Sequence, residues 1–152
     1  MNIIIYTRVS TSEQKESGLS LRNQYEQLVG YCQRNGHNIV ESYEEDCSGK
    51  NFNRPEFNKM LEYIKSNKKS VDIVLVTKWD RFGRTHLGSL NMLEKLVAWD
   101  VTVLAIEQPL DLKIPASTAI LAFYLAIPEV ENKMIGLRTK QALRKGNREG
   151  LW

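Results

Sequence analysis

Apolar and polar positions along the chain fall into short β-branched runs that alternate with stretches of helical period. Residues 3–6 (Ile-Ile-Ile-Tyr) predict a first strand. Leu21, Tyr25, Leu28, Val29 and Cys32 are spaced by three and four, which predicts a helix over residues 21–34. Gly36 stands just past its end, where a residue without Cβ commonly closes a helix. Residues 39–43 predict a second strand, followed by a polar loop over 44–53. Pro55 suits the first turn of a helix whose apolar stripe is Phe57, Met60, Leu61 and Ile64. Residues 72–77 (Asp-Ile-Val-Leu-Val-Thr) carry a continuous apolar run of the kind buried on both faces of a parallel sheet. A helix over about residues 86–99 would turn Leu87, Leu90, Leu93, Leu96 and Val97 inward, and residues 101–106 predict a fourth strand. From about Ala116 the pattern is helical nearly to the C-terminus. The expected fold is α/β: a mainly parallel sheet of four or more strands flanked by helices, with a long C-terminal helix.

That last helix is unusual. Its stripe runs Ile127, Val130, Met134 and Leu137 and then stops, because Gln141 and Arg144 follow on the same face. Pro128 lies inside it and is expected to kink it or divide it in two. One half would pack and the other project, and a projecting, basic, apolar-poor half needs DNA or another subunit to hold it. The expected division is a core over residues 1–127 and a long helix over 128–152. The chain ends at Gly150-Leu151-Trp152 without a helix-terminating signal, so it is expected to stop short of a further domain.

Composition narrows the classes. A chain of 152 residues with 42% hydrophobic and 26% charged residues can bury one domain-sized core, which excludes a disordered tail or a fibre. Two cysteines, Cys32 and Cys47, are too few for a disulfide framework, so a reducing cytoplasm is the expected compartment. No apolar run is long enough to span a bilayer. The net charge of +3 is unevenly placed: residues 133–152 hold six cations and one anion, leaving 15 cations and 17 anions in the rest. A basic end on a near-neutral body suggests contact with a polyanion there, although a solvated helix face would look similar.

Several familiar sites are excluded. Gly49-Lys50 resembles the tail of a P-loop, but Asn51 follows and position 44 is Glu; no GxGxxG occurs. His37 and His86 have no metal-ligand spacing. Glu44-Glu45-Asp46 suggests a divalent-metal nuclease, but neighbouring side chains on a strand diverge, and solvated loop charge is the better reading. What remains lies at the carboxyl ends of strands, where open α/β sheets place their sites. Arg8 and Ser10 follow the first strand, on the same side. Ser48-Gly49 and Arg54 follow the second. Lys78-Trp79-Asp80-Arg81-Phe82-Gly83-Arg84 follows the third as a loop, with four ionisable groups in seven residues. Arginine suits phosphate because its planar fork donates two parallel hydrogen bonds and stays charged. Taken singly, Ser10 could cap a helix, Asp80 and Arg84 could form a surface pair, and Arg54 could be solvated. The convergence of four arginines and a hydroxyl is harder to dismiss.

Tyr6-x-Arg8-Val9-Ser10-Thr11-x-x-Gln14, Ser48-Gly49, Arg54-Pro55 and Asp80-Arg81-x-x-Arg84 together resemble the catalytic domain of serine site-specific recombinases, the resolvase/invertase family. The match runs the whole chain in order. Gly18-Leu19-Ser20-Leu21…Gln24, with Arg-Pro before a helix, is more similar to the large and transposon-associated members, including integrases, than to small resolvases. The resemblance implies a resolvase-like core in which Ser10 attacks a DNA phosphodiester, becomes joined to a 5′-phosphate and releases a 3′-hydroxyl. Arg8, Arg54, Arg81 and Arg84 would meet the charge of the transition state. Asp80 would orient an arginine or shuttle the leaving-group proton, and an arginine is the other candidate acid. Gln14, Gln24, Ser48 and Lys78 would position phosphate or nucleophile.

The resemblance further implies no metal and no cofactor. The partners it implies are double-stranded DNA at specific recombination sites and further copies of the chain, forming a homodimer and a synaptic homotetramer through the long helix. Met134 and Leu137 would face the partner subunit, and Arg138, Lys140, Arg144, Lys145 and Arg148 would contact phosphates. A separate C-terminal DNA-binding domain would follow, and the compartment would be the cytoplasm of a prokaryote, at the nucleoid. Two other classes stay open: a non-catalytic DNA-binding or assembly module, and a phosphate- or nucleotide-binding domain unrelated to DNA.

Overall fold

The elements run β1 (Asn2–Val9), α1 (Leu21–Asn35), β2 (Asn38–Asp46), α2 (Pro55–Ser66), β3 (Ile73–Val76), α3 (Trp79–Phe82), α4 (His86–Ala98), β4 (Thr102–Ala105) and α5 (Ala116–Arg148). The structure, a computed structural model, describes residues 1–9, 20–47 and 53–148, without the side chains of 128–133, 135 and 145–148. The four strands form one parallel sheet in the order β2-β1-β3-β4, in agreement with the expected fold class.

Period-two alternation along the central strands separates the core into two layers. Ile3, Ile5 and Leu75 face one way and meet Leu28 and Cys32 of α1. Ile4, Tyr6, Val74, Val76, Val103 and Ala105 face the other way. There they meet Phe57, Met60 and Ile64 of α2, Leu93 and Leu96 of α4, and Leu121 and Leu125 of α5. A fully buried aliphatic or aromatic side chain of this kind contributes roughly 1.5–3 kcal/mol. The parallel arrangement brings the carboxyl ends of β1 and β3, adjacent in the sheet, to the same edge.

Helix α1 begins at Ser20, whose hydroxyl accepts from the Asn23 amide at 3.1 Å, and ends at Gly36 in the left-handed region at φ 67°. The His37 amide closes the turn on the Cys32 carbonyl at 2.9 Å. A Cβ at Gly36 would touch nothing within 4 Å, so its requirement is conformational. Gly36→Ala is expected to lower stability by about 1 kcal/mol without altering activity, as thermal unfolding beside an activity assay would show.

Four expectations change. Strands β1 and β2 run three residues further than their apolar runs, to Val9 and Asp46, because Thr7, Arg8 and Val9 continue the ladder opposite Glu44, Glu45 and Asp46. Those polar residues hide the strand ends from hydrophobic patterning. Residues 79–82 form a turn of helix, not open loop. Leu87 and Val97 of α4 are 70% and 60% exposed, because the buried stripe is Ser89, Leu93 and Leu96. Helix α5 is one 33-residue element that Pro128 does not divide. A proline removes one amide donor, and residues beyond it keep their own. The first turns of α5 pack into the core through Leu121 and Leu125, whereas Met134 and residues 136–144 are exposed. Among the described residues, no helix is long and apolar enough to cross a membrane.

Candidate active site

Arg8 lies near the carboxyl end of β1, and its side chain is fully buried. Its guanidinium is held by three backbone carbonyls. Nε donates to Arg81 O at 3.2 Å, Nη1 to Cys47 O at 2.9 Å and Nη2 to Asp80 O at 2.6 Å. Arg81 answers in kind: its Nη1 donates to Arg8 O at 3.0 Å. Its Nη2 and Nε reach the two carboxylate oxygens of Asp80 at 3.1 and 3.4 Å. Each arginine thus fixes the backbone that carries the other. Gln24 of α1 closes the network by receiving the Arg8 amide on Oε1 at 3.2 Å and donating Nε2 to Arg8 O at 3.0 Å. Arg8, Gln24, Asp80 and Arg81 therefore form one unit across α1, β1 and α3, immediately before the position of Ser10.

Arg54 approaches the same edge from the start of α2. It is 1% exposed, not solvated. Its Nη1 donates to the Tyr6 hydroxyl at 2.9 Å and its Nη2 to Phe82 O at 2.6 Å. The guanidinium carbon lies 4.9 Å from the Phe57 ring centroid and 5.6 Å from that of Tyr6, a cation–π arrangement. Burial pulls the Arg54 pKa below its ordinary value, opposed by Tyr6 and Glu45. Burial likewise lifts the Tyr6 hydroxyl well above the usual tyrosine range, so Tyr6 stays a neutral acceptor. The segment carrying Arg81 and Phe82 touches both Arg8 and Arg54, which makes α3 the common hub.

Glu45 corrects its part of the reading of residues 44–46 as solvated loop charge, whereas Glu44 and Asp46 are exposed. It is 2% exposed on β2, and its carboxylate accepts from the Glu56 amide at 3.2 Å and the Phe57 amide at 3.4 Å. Arg54 occupies the N-cap of α2 without a side-chain cap bond. Glu45 supplies that function from the neighbouring strand and complements the positive end of the helix. The available signal was the placement of Tyr43 and Glu45 on one strand face ahead of Arg54-Pro55. Asp80 and Glu45 are carboxylates on this edge, beside the three buried guanidiniums of Arg8, Arg54 and Arg81.

Arg84 is half-buried, just past α3. Lys78 is exposed instead and pairs outward, 3.9 Å from Glu107, which also accepts from Gln27 at 3.1 Å. Arg138, Lys140 and Arg144 are exposed along α5. Ser10, Gln14 and Ser48, and the side chains of Lys145 and Arg148, lie outside the described residues.

Known proteins carry the same plan. The family model for the resolvase N-terminal domain matches residues 3–152. A resolvase of Clostridium perfringens is 28% identical over 151 residues, spanning 97% of this chain and 73% of its own. Among solved structures, the N-terminal catalytic domain of TP901-1 integrase is 27% identical with a TM-score of 0.69, covering 88% of this chain and 98% of that one. A resolvase-family site-specific recombinase from Streptococcus pneumoniae is 30% identical with a TM-score of 0.66, covering 97% and 99%. With a four-stranded parallel sheet, an arginine-rich carboxyl edge and this match along its length, the chain belongs to the resolvase family of serine site-specific DNA recombinases.

Proposed function

We propose that this domain cuts and rejoins DNA strands at recombination sites by metal-independent transesterification at Ser10. The observation that carries the reading is the reciprocal Arg8–Arg81–Asp80 lock at the carboxyl edge, two residues before Ser10. In the step proposed, the Ser10 oxygen forms a bond to phosphorus and the bond from phosphorus to the 3′ oxygen breaks. The serine gives up one proton and the departing 3′ oxygen takes one up. The product is a 5′-phosphoserine diester, so rejoining by a 3′-hydroxyl reverses the step without an outside energy source. An unassisted serine is a weak nucleophile, and the barrier lies in the charge gathering on the phosphoryl oxygens. Preorganised guanidiniums stabilise that charge; one arginine is worth about 10³–10⁵ in rate in other phosphoryl transfers. Arg8, Arg54, Arg81 and Arg84 are assigned this task. Asp80 orients Arg81, and Gln24 holds the backbone of Arg8; Gln14 and Ser48 complete the assigned set, whereas Lys78, which pairs outward with Glu107, is left out of it.

The second half of α5 is assigned to assembly and DNA. Met134 and Leu137 are 47% and 59% exposed, and burial against a second copy would remove that apolar surface from water. The proposed division is a catalytic core over residues 1–127 and an assembly and DNA-contacting helix over 128–152, leading to a separate DNA-binding domain. Replacing Arg138, Lys140 and Arg144 with Gln should weaken DNA binding and flatten its salt dependence, by up to about 0.9 in slope for each phosphate no longer neutralised. An unchanged slope would mark those charges as a solvated face.

Cleavage of duplex DNA carrying the recombination site, assayed in excess chelator, tests the chemistry. Cleavage is expected to persist undiminished. Strict dependence on added magnesium would instead place this edge among metal-dependent nucleases.

A further inference from the structure

The α3 hub is itself held from outside the arginine network. The β3–β4 ladder continues beyond both strands, with the Ile106 amide bonding to Val76 O and the Glu107 amide to Thr77 O, each at 3.0 Å. The chain then turns, with the Gln108 amide on Ala105 O at 3.2 Å. This turn delivers Gln108 to the start of α3. Its Oε1 accepts from the Trp79 amide and its backbone carbonyl accepts from Trp79 Nε1, both at 2.9 Å. Lys78, the N-cap of α3, makes no side-chain cap bond, so Gln108 supplies the cap from a different segment. Trp79 is 1% exposed, and Asp80 and Arg81 follow it directly.

We propose that Gln108 is a positioning residue for catalysis, fixing the direction of the single-turn helix α3 and, through it, the Asp80 and Arg81 groups that engage Arg8. The inference rests on the proposed role of those residues in DNA cleavage. Gln108 acts through Trp79. Without its side chain, α3 keeps its internal bonds, Arg81 N to Lys78 O at 3.1 Å and Gly83 N to Trp79 O at 3.0 Å. The turn therefore survives while losing the bond that sets its tilt against the sheet. A small tilt moves Asp80 O, Arg81 O and Arg81 Nη1 together, all three of them partners of Arg8.

The test compares the full-length protein with Gln108→Met, which keeps length but loses the acceptor, and Gln108→Glu, which keeps an acceptor oxygen. Single-turnover formation of the covalent protein–DNA adduct would be followed at saturating DNA, well below the unfolding midpoint, with DNA affinity and thermal unfolding measured alongside. Gln108→Met should slow adduct formation by about tenfold, the rate equivalent of one hydrogen bond, with DNA affinity unchanged. Gln108→Glu should recover most of that rate. A Met variant that reacts at the unaltered rate, whatever its unfolding midpoint, would reduce Gln108 to a structural role and overturn the proposal. So would a Glu variant as slow as Met. If the unaltered protein forms no adduct on Ser10, the catalytic reading itself fails and the inference falls with it, a result distinct from the other two.

Discussion

Ser10→Ala is expected to reduce DNA cleavage by on the order of 10⁴-fold or more, the scale seen when an enzyme loses its nucleophile, while leaving DNA binding intact. The hydroxyl is the proposed attacking atom. The arginine lock is built on other residues: Arg8, Gln24, Asp80 and Arg81 are joined through each other's backbones and side chains. The variant should therefore unfold at the temperature of the unaltered protein. Gel-shift, cleavage and calorimetric measurements on one preparation separate these outcomes. Residual cleavage within tenfold of the unaltered enzyme would remove Ser10 from the mechanism.

Arg8→Ala should fail twice, in stability and in chemistry. Three carbonyls, one buried and two part-buried, lose their guanidinium donor, and a buried polar group deprived of its partner costs about 1–3 kcal/mol. A total loss of roughly 2–4 kcal/mol is expected, because neighbouring groups relax. Cleavage per folded molecule should fall by at least about 10³. Arg8→Lys keeps the charge but has no planar fork to span Cys47, Asp80 and Arg81 at once. It should recover part of the stability and little of the rate. Cleavage measured under conditions where both variants are fully folded makes the comparison. A Lys variant with normal rate would mean that charge alone suffices at this position.

The sheet and its flanking helices are legible in the sequence because apolar spacing carries them: 3–6, 39–43, 72–77 and 101–106 all lie within or around strands, and the cap at Gly36 is where its residue type places it. Polar continuation is not legible. Thr7, Arg8, Glu44, Glu45 and Asp46 pair as strand because of partners across the ladder, a fact no local pattern holds. The same blindness makes Glu45 look like a loop charge, since its value comes from two amides of a helix about ten residues on. Leu87 and Val97 mislead for a simpler reason. A helix rich in leucine offers more than one stripe, and tertiary contact chooses among them. The grouping of arginines at one sheet edge follows from residue order. Their engagement with backbone carbonyls does not, because a carbonyl acceptor leaves no trace in residue identity. Gln108 escapes for that reason too, holding Trp79 across 29 residues of sequence.

The central claim is the identity of the attacking atom, and covalent trapping tests it most directly. The full-length protein would be mixed with site-bearing DNA in a chelator, denatured, digested with nuclease and trypsin, and the peptides fragmented in a mass spectrometer. Trypsin cuts after Arg8 and Lys15, so the peptide of interest spans residues 9–15 and holds Ser10, Thr11 and Ser12 together. The account predicts a nucleotide joined through its 5′-phosphate to Ser10 alone. An adduct on Thr11 or Ser12, or DNA cut with no adduct at all, would contradict it.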